Sequence, residues 1–218
     1  MGHKLRKILS ISFFKTARFN IHYFGLEGLF HPYVLIARNV ILSKFGGGVL
    51  QVENKRIGTI QIGFPSARIV DSRYNRSIWR NDGIIVFKGS AFLASGTKID
   101  NSGELIIGDD FHITANSMIL CKKKIHIGKD VLISWNCQMM DHDFHKIINI
   151  DSIVNEAQPI WIGNHVWVGC DSIILKGTRI HNDSVIAAGS LITGKDCESN
   201  TIYGGINRRL KTGILWEK

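Results

Sequence analysis

From Phe87 onward the chain places an apolar residue at every sixth position, in groups of three. The groups are Phe87, Leu93, Ile99; then Ile107, Ile113, Ile119; then Ile127, Ile133, Met139; then Ile162, Val168, Ile174; and last Ile180, Ile186, Ile192. A helix would rotate successive anchors by roughly 240° and could not bury them together. A short strand followed by a tight turn can, and three such units close one triangular coil of about 18 residues. Four residues after an anchor the side chain is mostly small or β-branched: Ala91, Thr97, Ser117, Val131, Cys137, Val166, Ser172, Thr178, Ser184 and Ser190. One residue after it, Gly or Ala is frequent, as at Ala94, Gly108, Gly128, Gly163, Gly169 and Ala187. The pattern predicts an all-β solenoid whose anchors stack inside a prism.

The spacing between groups locates an interruption. It is 8 after Ile99, 8 after Ile119, 23 after Met139 and 6 after Ile174, so the insertions over six are 2, 2, 17 and 0. The 17-residue insertion, roughly Asp141 to Gln158, is expected to leave the prism as an extruded loop, with Pro159 leading back at Ile160. Residues 1–80 do not follow the repeat. Ile8 to Phe30 mixes apolar, aromatic and basic residues and is expected to form a helix over one end of the solenoid, because an open end exposes strand edges. Val40 to Phe64 reads as an irregular first coil, and the basic tail from Gly204 to Lys218 as a segment returning across the last one. The expected division is 1–80 as a mixed N-terminal cap, 81–203 as the solenoid and 204–218 as the tail.

Composition narrows the function classes. The 218 residues are 44% apolar, enough for a sizeable core, and 27 basic against 18 acidic side chains give +9, which favours anionic partners. No helix-turn-helix, RRM or zinc-finger pattern accompanies that charge, so nucleic acid is not the expected partner. Cys121, Cys137, Cys170 and Cys197 form no CxxC, which excludes a zinc ribbon and a secreted disulfide framework and fits free thiols in the cytoplasm. The basic start MGHKLRK imitates a signal peptide, but Lys15 stops the apolar stretch after it and no small-residue cleavage site follows. No apolar run reaches 18 residues, so no bilayer-spanning helix is expected.

Three stretches carry a resemblance: DHDFH at 141–145, PIWIGNHVWVGCDSIILKGTRIHNDSVIAAGSLIT at 159–193 and GGINRR at 204–209. With the six-residue repeat, they resemble the hexapeptide-repeat acyltransferases, in their galactoside and maltose O-acetyltransferase branch, over residues 84–212. The resemblance implies a left-handed parallel β-helix, a homotrimer, and acetyl-CoA as co-substrate with a sugar or glycan hydroxyl as acceptor. It implies no metal. It places the catalytic base at His142, with His145 as the understudy. Asn116 and Trp167 would then meet the acceptor, and the backbone amide of Cys170 would donate to the developing oxyanion. Ala188, Thr193, Lys195 and Arg209 would lie along CoA. Two departures bear on the last set: TGKD shifts Lys195 by one residue, and Asn207 stands where the family has proline.

Histidine suits the chemistry because acyl transfer to a hydroxyl needs a base of near-neutral pKa, and flanking Asp141 and Asp143 can orient the ring. At a loop base the ring is expected to be accessible to solvent. An amine acceptor on an amino sugar, or a serine-type acceptor, stays open. A different enzyme class would use His112, His126, His142 and His145 as zinc ligands, as in the carbonic anhydrases of this fold. The apolar and basic N-terminal segment points to proximity to a membrane and to a role in surface polysaccharide biosynthesis.

Overall fold

The structure, a computed structural model, describes residues 9–44, 47–66, 71, 74–150 and 152–218. The start MGHKLRK, read above as an imitation of a signal peptide, lies outside the described residues. The chain winds as a left-handed parallel β-helix with three faces. The first face has nine strands and the second and third have seven each, among the described residues. Every pairing between coils is parallel; the antiparallel exceptions are a small hairpin in the extruded loop and the hairpin that ends the chain.

The fifteen anchors are all buried, none more than 3% exposed. They stack as three columns. Leu93, Ile113, Ile133, Val168 and Ile186 align on the first face. Ile99, Ile119, Met139, Ile174 and Ile192 align on the second. Phe87, Ile107, Ile127, Ile162 and Ile180 align on the third. The small residues four positions on are buried as well, where Cβ atoms of successive coils crowd the corners. At the corners, Asp110, Asn116, Asp130, Asn136, His165, Asp171, Asp183 and Asn200 hold φ between 52° and 61°, a conformation that asparagine and aspartate tolerate best.

The columns begin much earlier than residue 81. Ile36 aligns with Ile62 and then Leu93; Leu42 with Trp79 and then Ile99; Val52 with Phe87. The described strands between Val34 and Asn81, which include the Val40–Phe64 stretch read as an irregular first coil, therefore pair in register on the same three faces. Their anchors are separated by 6, 10, 10, 17 and 8 residues, so turns of unequal length hide the period.

The cap proper is helix α1, Phe13–Phe30, interrupted at Gly25, whose φ of 63° and ψ of −149° break the helical path. It closes the open edge of the first face by side-chain chemistry. Asn20 Nδ2 donates to Val34 O at 2.7 Å, Asn20 Oδ1 accepts from Val34 N, and Thr16 Oγ1 accepts from Ile36 N. Those are the groups that an edge strand would otherwise leave unpaired. Phe19 packs edge-on against Trp79 with ring centres 5.3 Å apart, and Tyr23 Oη accepts from the Trp79 indole.

At the other end, Thr201–Gly204 and Arg208–Thr212 form the closing hairpin. The tail then runs back along the edge between third and first faces, further than across the last coil. Trp216 stacks on His165 with ring centres 4.1 Å apart and donates to its carbonyl, and Lys218 reaches Asp110 and Asp130.

Candidate active site

The strand Gln138–Met140 ends where the chain leaves the prism, and this departure creates a hydrogen-bonding problem. In a coil, the amides of one corner donate to carbonyls of the next, as Ser102 N does to Cys121 O and Glu104 N to Lys123 O. At 122–124 the following coil has become the loop. Asp141, fully buried, supplies acceptors in its place: Oδ1 takes Lys122 N, and Oδ2 takes Lys123 N and Lys124 N, each at 2.7 Å. Asp141 O meanwhile accepts from Gln158 N and closes the neck of the loop. Below the carboxylate lies the Cys121 thiol, 3.8 Å from Oδ2; burial first, then the Asp141 charge, push its pKa up.

Asp141 also holds His142, with Oδ1 3.1 Å from the ring Nδ1. A carboxylate oxygen is an acceptor, so this contact places the proton on Nδ1 and leaves the Nε2 lone pair free. The ring is 9% exposed, against the expectation of an open loop-base histidine, because Phe144 covers it with ring centres 4.3 Å apart. Asp143 does not touch the ring. It pairs with Lys176 and accepts from Asn155, and those bonds lower its pKa. Asn155 also takes Ile147 N and donates to His145 O, so one side chain ties the loop together; the His145 ring is exposed.

Two clefts meet at His142. One, of about 430 Å³, is lined by Lys122, Lys123, Asp143, His145, Lys146 and Asn155 among others. The second, of about 200 Å³, runs toward Arg80, Asp82, Asp100 and Ser102. Charged and hydrogen-bonding side chains line part of each. Lys122, Lys123, Lys176 and Asn155 have no separate sequence signal; only the stacking of coils brings them to one corner.

The remaining sequence-predicted residues lie elsewhere. Asn116, Cys170 and Ala188 occupy the edge between first and second faces, and Trp167 sits on the first face beside it. The loop and His142 are at the edge between second and third faces. One strand of the second face separates the edges, roughly 15–20 Å of extended chain. A single chain therefore does not bring His142 to Asn116, Trp167 or Cys170.

At the first edge, Gly169 N donates to Ile186 O and Asp171 N to Trp135 O, while the Cys170 amide between them donates to no backbone carbonyl among the described residues. The Cys170 thiol pKa is raised by partial burial and by Asp171, opposite to what a nucleophile needs. A Cβ on Gly169 would lie 2.6 Å from Ala188 N, so this corner packs backbone against backbone. Asn116 serves as a positive-φ corner residue, and the Trp167 indole donates to Ser134 Oγ.

Thr193 and Lys195 lie beyond the last strand of the second face. Asn207, at φ 53°, clamps Thr193 by two hydrogen bonds, a geometry that proline, with its fixed negative φ, cannot adopt. Lys195 lies over the Tyr203 ring at 6.0 Å. Arg209 makes an exposed pair with Glu198 at 3.0 Å. His112 and His126 are on the first and third faces, and the described residues contain no cluster of three His, Cys, Asp or Glu side chains that could hold a metal.

Comparison with known proteins agrees with this geometry. Residues 159–194 match the bacterial transferase hexapeptide (six repeats) family. A candidate lipopolysaccharide biosynthesis O-acetyl transferase, WbbJ of Escherichia coli K12, is 28% identical over 64% of this chain and 79% of its own length. Galactoside O-acetyltransferase of the same strain is 34% identical over 48% of this chain, which spans only 51% of that enzyme. The crystal structure of the polysialic acid-specific acetyltransferase NeuO shares the fold with a TM-score of 0.51 at 22% identity, covering 85% of this chain and 78% of NeuO. The repeat, the coil and the matching segment lie in one register, and over residues 159–194 the chain is similar to the bacterial transferase hexapeptide family.

Proposed function

We propose that the protein transfers an acetyl group from acetyl-CoA to a hydroxyl of a sugar or glycan, directly and without a covalent enzyme intermediate. The observation that carries this reading is His142, fixed by a buried carboxylate and set where two clefts meet. Nε2 takes the proton of the acceptor hydroxyl as its oxygen attacks the thioester carbonyl. The negative charge that develops needs a preorganised donor, and the Cys170 amide, which donates to no backbone carbonyl among the described residues, is one. Because the two groups lie on different edges of one prism, the complete site needs a second copy, whose Cys170 edge faces the His142 edge of the first. Three copies around an axis form three such sites, so the working unit is a homotrimer.

Ala188, Thr193, Lys195 and Arg209 line the path of CoA in this reading. Arg209 can exchange its exposed carboxylate partner for a phosphate at little cost, since such surface pairs contribute about 1 kcal/mol or less. Among the described residues no helix is long and apolar enough to cross a membrane, which fits a cytoplasmic enzyme of surface polysaccharide biosynthesis. The test is release of CoA thiol from acetyl-CoA across a panel of sugars, nucleotide sugars and oligosaccharides. His142→Ala should lower turnover roughly 10²–10⁴-fold with the fold intact, and sedimentation should give a trimer. No acceptor-dependent thiol release, or an active monomer, would overturn it.

A further inference from the structure

Helix α1 leaves large apolar side chains on the side turned away from the solenoid. Thr16, Phe19 and Asn20 face the solenoid, whereas Phe13 is 74% and Phe14 76% exposed, with Ile21 exposed on the same outward stripe. Beyond the break at Gly25, Leu26 and Phe30 are each 73% exposed. A cluster of exposed large apolar side chains of this kind marks an interaction surface. The stripe's surroundings say what kind. Beside the start of α1 lies a pocket of about 380 Å³ lined by Ser10, Ala37, Arg38, Asn39, Gly63, Pro65 and Arg76, with no acidic side chain among the lining residues described. Lys15, which donates to the carbonyls of Arg38 and Val40, shares this corner. Partial burial, then the nearby Arg76 charge, lower its pKa. In the sequence, residues 1–30 carry Lys4, Arg6, Lys7, Lys15 and Arg18 against the single acid Glu27.

We propose that this end of the solenoid docks on an anionic phospholipid bilayer, with the Phe13, Phe14 and Ile21 stripe entering the interface and the pocket of Arg38 and Arg76 taking a lipid phosphate. The two halves of the surface answer the two halves of such a membrane. Aromatic and aliphatic side chains enter the acyl boundary, and cations meet the phosphate layer. The cap lies at the end of the prism opposite the closing hairpin, and docking needs none of the residues assigned to acyl transfer. An acceptor held at a membrane would be presented to the enzyme there. The inference stands independently of which acceptor is used.

Flotation of the full-length protein with vesicles tests it. Vesicles of phosphatidylcholine with one-third phosphatidylglycerol should retain the protein, phosphatidylcholine alone should not, and raising salt should release it. Arg38→Gln with Arg76→Gln should weaken retention about 30-fold. Phe13→Ser with Phe14→Ser should abolish it while thiol release with a soluble acceptor stays unchanged; both phenylalanines are exposed, so the fold should survive. Equal retention by neutral vesicles, or none by either kind, would overturn the proposal. So would a change in oligomeric state in the phenylalanine variant, which would show that the stripe packs between copies.

Discussion

Replacing Asp141 by asparagine keeps the shape and removes one acceptor, and the structure says which. If the amide nitrogen takes the Oδ1 position, it opposes one backbone donor, Lys122 N, and donates to His142 Nδ1. The ring must then carry its proton on Nε2 and cannot act as a base. If the nitrogen takes the Oδ2 position, it opposes two backbone donors, Lys123 N and Lys124 N, and also the Cys121 thiol. The second placement loses one more hydrogen bond than the first, about 1.5–3 kcal/mol for groups of this kind. The wrong tautomer therefore outweighs the right one by roughly ten- to a hundredfold. Loss of the negative charge that supports the imidazolium lowers the rate further, so turnover should fall roughly 10²–10⁴-fold. Stability should fall by about 2–4 kcal/mol, which for a chain of this size lowers the melting temperature by about 5–15 °C. Thiol release and thermal unfolding measure the two effects. Asp143→Asn is the control, since Asp143 faces Lys176 and Asn155 rather than the ring, and it should loosen the loop with a milder effect on turnover. An Asp141→Asn enzyme working at the parental rate would refute the claim that this carboxylate sets the tautomer.

Cys170→Ala should keep near-parental turnover, because only its amide is assigned a role; an inactive variant, together with acetate trapped on Cys170 of the parental enzyme, would reverse that assignment. Gly169→Ala should slow the enzyme, since its Cβ would press on Ala188 N and shift the Cys170 amide. Co-expressed with His142→Ala, it should recover about a quarter of the parental activity, the share of sites in randomly mixed trimers that combine one intact edge from each variant; no recovery would mean that each site lies within one chain. The tail should respond to pH. Burial would lower the His165 pKa, but bonds to Asp130 and to the Trp216 carbonyl outweigh it and raise the pKa. Tail docking is thus fully supported below about pH 6.5 and weakens as pH rises through the raised value. Trp216 fluorescence should shift to the red as pH rises above about 6.5, and His165→Gln should remove the pH dependence; a parental tail equally docked at acid and alkaline pH would contradict the reading.

The amino-acid sequence by itself determined the solenoid from Phe87 to Ile192 and the place where the loop leaves it. A six-residue period is local, each anchor is specified by its own unit, and stacking repeats the same contact coil after coil. It also marked His142 and the Gly169–Cys170 corner through short motifs. Of the first coils it showed only an irregular stretch at Val40–Phe64, because unequal turns from Ile36 to Trp79 erase the period, while in-register pairing with later coils still selects those residues as anchors. The acceptor role of Asp141 was decided only by the tertiary structure. It arises from the missing coil beneath 122–124, a vacancy created by strand pairing across some 20 residues of chain. The separation of His142 and Cys170 onto two edges is likewise a property of the closed triangle: six residues of strand lie between successive corners, and no motif records which corner it will occupy. The path of the tail rests on Trp216 meeting His165 and Lys218 meeting Asp110 and Asp130, pairs 51 and 108 residues apart for the first and for Lys218 with Asp110. Contacts at that range are set by the number of coils between the partners, which becomes countable only once the prism has closed.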